Sequence, residues 1–483
     1  MKTVLIVAYD FPPRSTSGVY RPLKFAKYLP EFGWRPVILT VSNYPHDIID
    51  ETLVAELPEC AAVYRAHSIE PKRWEEALFH NLYRKPAAEK PLPAATTDVS
   101  AATSEDTNEH RGFSLKGTIK KLVFSPLSHF SHDYLYTPDE HVGWVPMAVA
   151  KGLQAIRSEQ IDAIITTSPP ETNHLVGLWL KRLTGKPWIA DFRDPWSDNF
   201  MKKSRPKARV NLERRMERKV LRKADIILHV GERMAQLSQS SFPEFEKSKH
   251  ASITNGYDES DYRDFDAARI YRDHQAPHLS ILNVGTVYED SAMMPLLTAY
   301  QNLVSKPEFA HKMKLTFIGK MLDEHTEAVS VPQLKDHVSL TGFIPHHDAL
   351  HTMMASDVIL LMPAKGDVNT NDKIIPGKLF ELLRAGRPIL MLGWEGESAD
   401  MVRRSGTGIF VPAEDTGKIE EALRELVRRK QTGQLQTEPN WSYIRQYDRK
   451  VLTGRLAQLL DSLTNGQGTQ VKQDRAGQKV TVS

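Results

Sequence analysis

Short apolar segments of strand length alternate with helical patterns along this chain, and they do so in two successive series. In the first series a helical pattern from about Tyr20 to Phe32 ends at Gly33, between two apolar runs. The predicted strands are Val4–Ala8, Val37–Val41, Ala163–Thr167, Trp188–Ala190 and Ile226–Val230, with a further helix at Thr172–Leu183. Strands that alternate with helices form parallel sheets covered on both faces. Residues 1–255 are therefore predicted to form one doubly wound domain.

The second series begins after the turn-rich segment Asn255-Gly256-Tyr257-Asp258. Its predicted strands are Ile281–Val284, Leu315–Ile318, Val338–Leu340, Val358–Leu361, Pro388–Leu392 and Gly408–Val411. The predicted fold class is α/β, with two Rossmann-like doubly wound domains, residues 1–255 and 256–440, facing each other across a cleft. A last helix over residues 441–464 is predicted to pack back on the first domain. Ligands of such sheets bind beyond the carboxyl ends of the strands, so the cleft is the expected site.

Two polar segments lie outside this plan. Residues 85–111 are rich in Ala, Thr, Pro, Glu and Ser and contain no aromatic residue. Such a segment buries too little apolar surface to order itself, which predicts a disordered insertion. Residues 465–483 are similarly polar and predict a disordered tail.

Composition narrows the class of protein. The net charge of +3 over 483 residues is too small to indicate a nucleic-acid partner. Cys60 is the only cysteine, which excludes an intramolecular disulfide and a cysteine metal cluster. No apolar run reaches the roughly 18 residues that a membrane span requires, and the first residues do not continue as a signal peptide. These features predict a cytoplasmic protein.

One segment, Asp372 to Leu390, carries the clearest functional pattern. It places Lys378 and Glu381 on the first turns of a short helix that follows Pro376-Gly377 and ends at Gly386. The free N–H groups of a helix start attract phosphate, and Lys378 adds a positive charge there. Glu381 is suited to accept two hydrogen bonds from a ribose diol. The combination predicts a site for a nucleotide diphosphate sugar.

Several short motifs occur in an order that is typical of one family. They are Phe11-Pro12-Pro13 with Ser17-Gly18, Thr167-Ser168-Pro169-Pro170 with His174, Asp191-Phe192-Arg193-Asp194-Pro195-Trp196, Asn255-Gly256-Tyr257-Asp258, Asn283-Val284-Gly285-Thr286, Thr341-Gly342-Phe343, and Lys378 to Pro388. On these motifs the chain resembles the GT-B-fold glycosyltransferases of the family-4 type (group 1). The resemblance implies a retaining enzyme that moves a sugar from a nucleotide diphosphate to a glycan or lipid-linked acceptor, in polysaccharide or glycolipid biosynthesis.

The chain departs from the family's pattern at the donor side. Lys373 occupies the place of the first of two glutamates, while Glu381 matches the second. Gly285 and Thr286 are candidate donor contacts, and the segment after them lacks the bases that hold the diphosphate in relatives. Because a leaving pyrophosphate needs positive charge nearby, Lys378, Lys373 or Arg21 is expected to supply it. Phe343 is a candidate to cover the base, although a buried aromatic residue is the commoner fate.

The first domain offers candidate residues for the acceptor. His174 lies at a helix start, which favours its neutral form and a hydrogen bond to a sugar hydroxyl. Asp191 and Arg193 follow a predicted strand; either they orient the acceptor or the histidine, or they pair with each other. Gly18 either lets backbone N–H groups approach a phosphate or serves as an ordinary loop glycine.

Metal and nicotinamide chemistry are both disfavoured by the sequence. The adjacent His346-His347 do not orient two ligands toward one ion. No Gly-x-Gly-x-x-Gly follows the first strand. We therefore expect no cofactor and no metal requirement, with lysine and helix N–H groups binding the phosphate.

A basic stretch suggests a further partner. Residues 202–223 carry eleven basic and two acidic side chains interleaved with apolar ones, and residues 115–123 repeat this pattern. Such a surface either rests on anionic lipid or is simply a solvated helix. We expect a peripheral contact with the inner face of the cytoplasmic membrane.

Three other functions are compatible with the same sequence. A sugar-nucleotide epimerase or hydrolase on this fold converts the donor without an acceptor. A non-catalytic partner subunit of a glycosyltransferase fits the missing glutamate and the missing bases. A nucleic-acid binder fits least, since no stacking-aromatic pattern accompanies the local positive charge.

Overall fold

The computed structural model consists of two parallel β-sheets, each flanked by helices. It describes residues 1–43, 49–69, 136–199, 202, 205–288, 291–365 and 371–465, and the backbone of residues 472–473 and 480–481. The predicted insertion at 85–111 and the amphipathic pattern at 115–123 lie outside the described residues. Of the predicted tail, the structure describes Asn465 and two short strands, Lys472–Gln473 and Val480–Thr481, which pair antiparallel.

The first sheet has seven strands in the order β3-β2-β1-β4-β5-β6-β7. These are β1 Lys2–Val7, β2 Trp34–Val41, β3 Ala62–Ala66, β4 Ala163–Ser168, β5 Trp188–Phe192, β6 Ile226–His229 and β7 His250–Ser252. The helices of this part are Tyr20–Tyr28, Val145–Ser158, Thr172–Thr184, Lys207–Lys223 and Glu232–Ser241. Apolar residues on both faces of the sheet pack under these helices, as expected for a parallel sheet.

The second sheet has six parallel strands in the order β10-β9-β8-β11-β12-β13. These are β8 Leu279–Val284, β9 Met313–Ile318, β10 Val338–Gly342, β11 Val358–Leu361, β12 Ile389–Gly393 and β13 Gly408–Pro412. The accompanying helices are Ala267–Asp273, Met293–Val304, Asp323–Val329, His346–Ala355, Leu379–Ala385, Glu397–Arg404 and Thr416–Gln431. The predicted fold class, two Rossmann-like α/β units, is confirmed.

The structure differs from the prediction in three local respects. Strands β3 and β7 were not predicted, because each is a short strand at an edge of the first sheet. The helix predicted over Tyr20 to Phe32 is α-helical only to Tyr28 and continues as a 3-10 turn to Phe32. It ends at Gly33, whose φ of 81° is the left-handed conformation that glycine adopts without strain.

The last helical segment is divided into two parts. Trp441–Ile444 packs beside the second sheet, where Ile444 is fully buried. The helix resumes at Arg449–Thr464 and buries Leu452, Leu456 and Leu460 in the core of the first sheet. The C-terminal helix therefore packs back on the first unit, as predicted. Within the described part of the chain, no helix is long and apolar enough to cross a bilayer.

Loss of this helix contact should destabilise the first unit. Leu460 is fully buried, so Leu460→Ala is expected to lower the free energy of unfolding by about 2–5 kcal/mol through lost burial and a cavity. Val451 lies on the same helix but is 43% exposed, and Val451→Ala should change the free energy of unfolding by about 0.5 kcal/mol or less. Urea unfolding measured by circular dichroism compares the two variants; equal effects would contradict the packing.

Candidate functional site

Three neighbouring strands of the second sheet end in glycines with positive φ. Gly285, Gly319 and Gly342 follow or end β8, β9 and β10, with φ values of 100°, 120° and 73°. The amide of Gly285 donates to Ile318 O at 2.7 Å, and that of Gly319 donates to Gly342 O at 2.8 Å. A Cβ on Gly319 would lie 2.8 Å from Gly285 O. This glycine edge therefore exposes backbone that side chains would otherwise cover.

A cavity of about 190 Å³ opens at the glycine edge. Its other lining residues include Val287, Phe317, Lys320, Met321, Thr326 and Leu340. The cavity lies at the carboxyl ends of parallel strands, where open α/β sheets bind their ligands.

Lys378 reaches the same edge from the start of helix Leu379–Ala385. Its ammonium group donates to Val284 O at 2.9 Å, and a Cβ on Gly285 would lie 3.6 Å from its Nζ. No carboxylate of the described residues lies within 4 Å of it. Burial lowers the pKa of Lys378 to about 8. Among the residues that the structure describes, this desolvated cation has no carboxylate partner, which is an arrangement that favours an anionic ligand.

Glu381 lies one turn further along this helix and faces the first unit. Its Oε1 lies 3.8 Å from Nε2 of His346, which also lies 3.8 Å from Oδ2 of Asp261. The ring of Tyr20, from the first unit, lies 6.3 Å from the imidazole of His346. Burial raises the pKa of Glu381, while the hydrogen bond with Asp261 raises the pKa of His346. Glu381 therefore sits in the cleft between the two sheets, 31% exposed.

Arg449 is a cleft residue that the sequence analysis missed. It is the first residue of helix Arg449–Thr464, and its amide donates to Tyr257 O at 2.8 Å. Its guanidinium has no carboxylate of the described residues within 4 Å. Burial, followed by the nearby charge of Arg21, lowers the pKa of Arg449 to about 10, while the charge of Glu381 acts to raise it. A cation in the first turn of the last helix of a fold gives no local signal of a ligand site.

The remaining donor-side candidates are dispersed. Lys373 donates to the Asp372 carboxylate at 2.6 Å, so its charge is already paired. Thr286 is exposed beside Gly285. Phe343 follows Gly342, and its side chain is 85% exposed, so it is not buried in the core.

Arg21 and Asp191 form a buried ion pair in the first unit. The guanidinium donates to both oxygens of Asp191, at 2.8 and 2.9 Å, and to the carbonyls of Ile253 and Thr254, each at 2.8 Å. Burial acts to raise the pKa of Asp191, but the charge and hydrogen bonds of Arg21 outweigh it and lower that pKa. Asp191 was predicted to follow the strand, but it lies within β5. Arg21 is thus engaged in this ion pair rather than open to a phosphate.

Arg193 connects two loops at the carboxyl edge of the first sheet. It donates to Ser168 O at 2.9 Å, to Gly18 O at 2.6 Å and to Pro169 O. A Cβ on Gly18 would lie 3.2 Å from the guanidinium nitrogens. Gly18 therefore permits a close approach of the Arg193 guanidinium, and its carbonyl accepts the hydrogen bond. Arg193 is not hydrogen-bonded to Asp191. The alternative in which these two residues pair with each other is therefore not observed, since Arg21 makes the ion pair with Asp191 instead.

His174 is fully buried under the loop that follows β4. Its Nδ1 lies 2.7 Å from Thr166 Oγ1 and its Nε2 lies 2.8 Å from Ser168 Oγ. The ring of Phe192 lies 4.2 Å away. Burial lowers the pKa of His174 to about 3, so the imidazole is neutral, as expected. Both of its nitrogens are used inside the protein, which leaves neither nitrogen of His174 open to a sugar hydroxyl.

One group of carboxylates has the spacing of a cation site. Glu56, Asp258 and Asp261 offer oxygens within 4.8 Å of one another. Nζ of Lys24 lies 2.6, 2.7 and 3.3 Å from these three carboxylates, and Lys27 contacts two of them. Ammonium groups already pair with all three carboxylates of this cluster, which joins the first helix to the segment between the two units.

Breaking the buried pair should be costly. Asp191→Asn leaves the Arg21 charge buried without a partner, and we expect a loss of about 3–5 kcal/mol in unfolding free energy. The double variant Arg21→Met, Asp191→Leu removes both charges and should recover most of that loss. Thermal and urea unfolding measure both; a double variant no more stable than Asp191→Asn would contradict this account. Arg269→Ala, at a 71% exposed ion pair, serves as the control and should have little effect.

Comparisons with known proteins agree with the two-unit α/β fold. Residues 278–429 match the family model "Glycosyl transferases group 1", and residues 90–256 match "Glycosyl transferase 4-like domain". Together these segments span about two thirds of the chain. No curated protein matches the sequence significantly.

Solved structures share the fold at low sequence identity. A sucrose-phosphate synthase from Thermosynechococcus elongatus has a TM-score of 0.61 at 13% identity, covering 96% of this chain and 100% of that chain. Anabaena HepE in complex with UDP has a TM-score of 0.59 at 13% identity, covering 96% and 100%. WaaG, a glycosyltransferase involved in lipopolysaccharide biosynthesis, has a TM-score of 0.54 at 13% identity, covering 95% and 99%.

Proposed function

The chain belongs to the group 1 glycosyltransferases of the family-4-like type, and on that premise we propose that it is a retaining enzyme using a nucleotide diphosphate sugar. The acceptor in this proposal is a glycan or a lipid-linked sugar. The observation that carries the proposal is the buried ammonium of Lys378 at the glycine edge, which has no carboxylate partner within the described part of the chain. A diphosphate placed there would receive a charge-assisted hydrogen bond from Lys378.

Glu381 is proposed to bind the ribose of the donor. Its carboxylate lies one turn beyond Lys378 on the same helix, and it faces the cleft. The diol of a ribose would satisfy both carboxylate oxygens at once. HepE is a protein of the same fold that binds UDP and UDP-glucose, which makes UDP the first probe to test here.

The proposed mechanism is a retaining reaction that does not use a pair of catalytic carboxylates. The acceptor hydroxyl attacks the anomeric carbon on the face from which the diphosphate departs. As the carbon–oxygen bond to phosphate breaks, the departing phosphate oxygen takes the hydroxyl proton. Lys378 stabilises the negative charge that develops on the diphosphate. Because Lys373 and Arg21 are engaged in ion pairs, Lys378 is the proposed principal cation, and we propose that no metal ion is required.

Donor affinity should depend on the charge of Lys378. With a pKa of about 8 in the free protein, Lys378 is protonated below that pH and neutral above it. UDP affinity is therefore expected to fall as pH rises from 7 to 9. Lys378→Met should weaken UDP binding at pH 7 by about 1.5–3 kcal/mol, the usual value of a hydrogen bond to a charged group, and should remove this pH dependence. Isothermal calorimetry at both pH values measures the effect.

Lys365→Met provides a matched control for that experiment. Lys365 is a half-exposed lysine of the second unit that pairs with Glu414 and lies outside the proposed donor contacts. It should leave UDP affinity and its pH dependence unchanged. Equal UDP affinity in wild type and Lys378→Met, with GDP and ADP giving the same result, would overturn the proposed donor site.

We further propose that the first unit rests on an anionic membrane that presents the acceptor. Helix Lys207–Lys223 turns its two acidic residues inward, where Glu213 pairs with Arg205 and Arg209 and Glu217 accepts from Ser197. The exposed residues of the helix include Lys207, Arg215, Lys219, Arg222 and Lys223. On the neighbouring helix Trp179 is 46% and Leu183 57% exposed. A basic face beside exposed apolar side chains suits a lipid headgroup surface.

Charge reversal on this face should weaken lipid binding. Each basic residue near an anionic bilayer contributes about 1 kcal/mol, so Arg215→Glu, Lys219→Glu should lower the binding constant by at least about tenfold. Flotation with vesicles containing anionic lipid at low ionic strength measures this. Lys314→Glu, Lys335→Glu makes the same charge change at exposed positions of the second unit and should float like wild type. Absence of salt-sensitive flotation of the wild type would contradict the proposal.

A further inference from the structure

The two units are joined by a polar contact outside the chain connections. Gly231 and the first residues of helix Glu232–Ser241, in the first unit, meet the start of helix Glu397–Arg404 in the second. The amides of Glu232 and Arg233 donate to the two oxygens of Glu397, at 3.0 and 3.2 Å. A carboxylate at a helix start is favoured by the free N–H groups and by the helix dipole.

Arg233 extends this contact to two more carboxylates of the second unit. Its guanidinium lies 2.7 Å from Asp400 and 3.3 Å from Asp372. The five residues Gly231, Arg233, Asp372, Glu397 and Asp400 are called the clasp below. Gly231 is essential to its geometry, because a Cβ there would lie 2.8 Å from Glu397 Oε2 and 2.9 Å from Ile375 Cδ1.

One residue of the clasp, Asp372, belongs to the segment that leads to Lys378. Asp372 lies at the start of this segment, and a Cβ on Gly396 would lie 2.4 Å from the Cα of Asp372. Ser398 donates to Ile374 O, which fixes the segment a second time. Two residues later Pro376-Gly377 turns the chain into Lys378. A first-unit arginine therefore pairs with the side chain at the start of the segment that presents Lys378, without lying among the proposed donor contacts itself.

The ion pairs of the clasp are partly exposed to solvent, with side-chain exposures of 35% for Arg233, 38% for Asp372 and 47% for Asp400. Exposed ion pairs are individually weak, so the contact has no single strong bond to break. All of its contacts connect the first unit to the second. These contacts are therefore made or lost together when the angle between the units changes.

We propose that the clasp couples the closed arrangement of the two units to the binding of the donor, with Arg233 as the positioning residue. This rests on the proposed function in one respect, that the ligand contacting Lys378 is a nucleotide diphosphate. The coupling follows because a donor at Lys378 and the contact at Arg233 both favour the same position of residues 371–378. Loss of the clasp should open the cleft and weaken the binding of the donor, without removing any contact that the donor makes.

The test measures domain separation and donor affinity in the same variants. Spin labels on the exposed native Cys60 and on an introduced Lys418→Cys report the distance between the units by double electron–electron resonance. In Arg233→Ala this distance should lengthen and broaden relative to the labelled parent. UDP affinity, measured by calorimetry, should fall roughly tenfold, a typical size for allosteric coupling.

Further variants separate the clasp from nonspecific damage. Gly231→Val displaces Glu397 by its side chain and should reproduce both effects. Arg233→Asp with Asp400→Arg exchanges the charges and should restore part of the short distance and of the affinity. Arg269→Ala removes an arginine outside the contact and should match the parent. Thermal unfolding confirms that each variant is folded.

The two readouts distinguish failure of the clasp from failure of the proposed donor site. An unchanged distance in both Arg233→Ala and Gly231→Val overturns the clasp, whatever the protein binds. A longer distance with unchanged UDP affinity overturns the coupling. Absence of UDP binding by the parent, with GDP and ADP equally inactive, overturns the proposed function and the coupling together, while the distance measurement still decides whether the clasp closes the cleft.

Discussion

The buried ion pair between Arg21 and Asp191 is the interaction on which the arrangement of this protein depends. Asp191 lies inside a central parallel strand, where an unpaired carboxylate would be strongly unfavourable. Arg21 neutralises it and also binds the carbonyls of Ile253 and Thr254, at the end of the first unit. The same pair therefore stabilises the sheet and fixes the place from which the chain enters the second unit.

That arrangement decides which positive charges remain available. Most basic residues of the described cleft are already paired or bound to carbonyls, as Arg21, Arg193 and Lys373 are. Lys378 and Arg449 have no carboxylate of the described chain within 4 Å, and burial lowers the pKa of each. Unpaired desolvated cations destabilise a free protein, and their persistence at the carboxyl edge of a sheet is physically reasonable where a ligand anion completes them.

Much of the fold was predictable because parallel sheets have a strong sequence signature. Strands buried on both faces are continuous apolar runs, and Gly33 and Gly386 end helices by adopting positive φ. The short edge strand β3 was missed, since an edge strand is half exposed and lacks that signature. Asp191 was placed beyond its strand because a carboxylate ordinarily ends an apolar run; only its partner, 170 residues away, makes burial tolerable.

By itself the sequence determined the α/β class, the two series of strands and the family resemblance, and it led to the prediction of a donor site at Lys378 and Glu381. These follow from local periodicity and from short motifs, which neighbouring residues encode. The tertiary structure decided which charges are paired, that His174 is enclosed, that Arg449 enters the cleft, and that Arg233 reaches Asp372 and Asp400. Such properties depend on contacts between residues far apart in the chain, and charge pairing and burial exist only once those residues have been brought together.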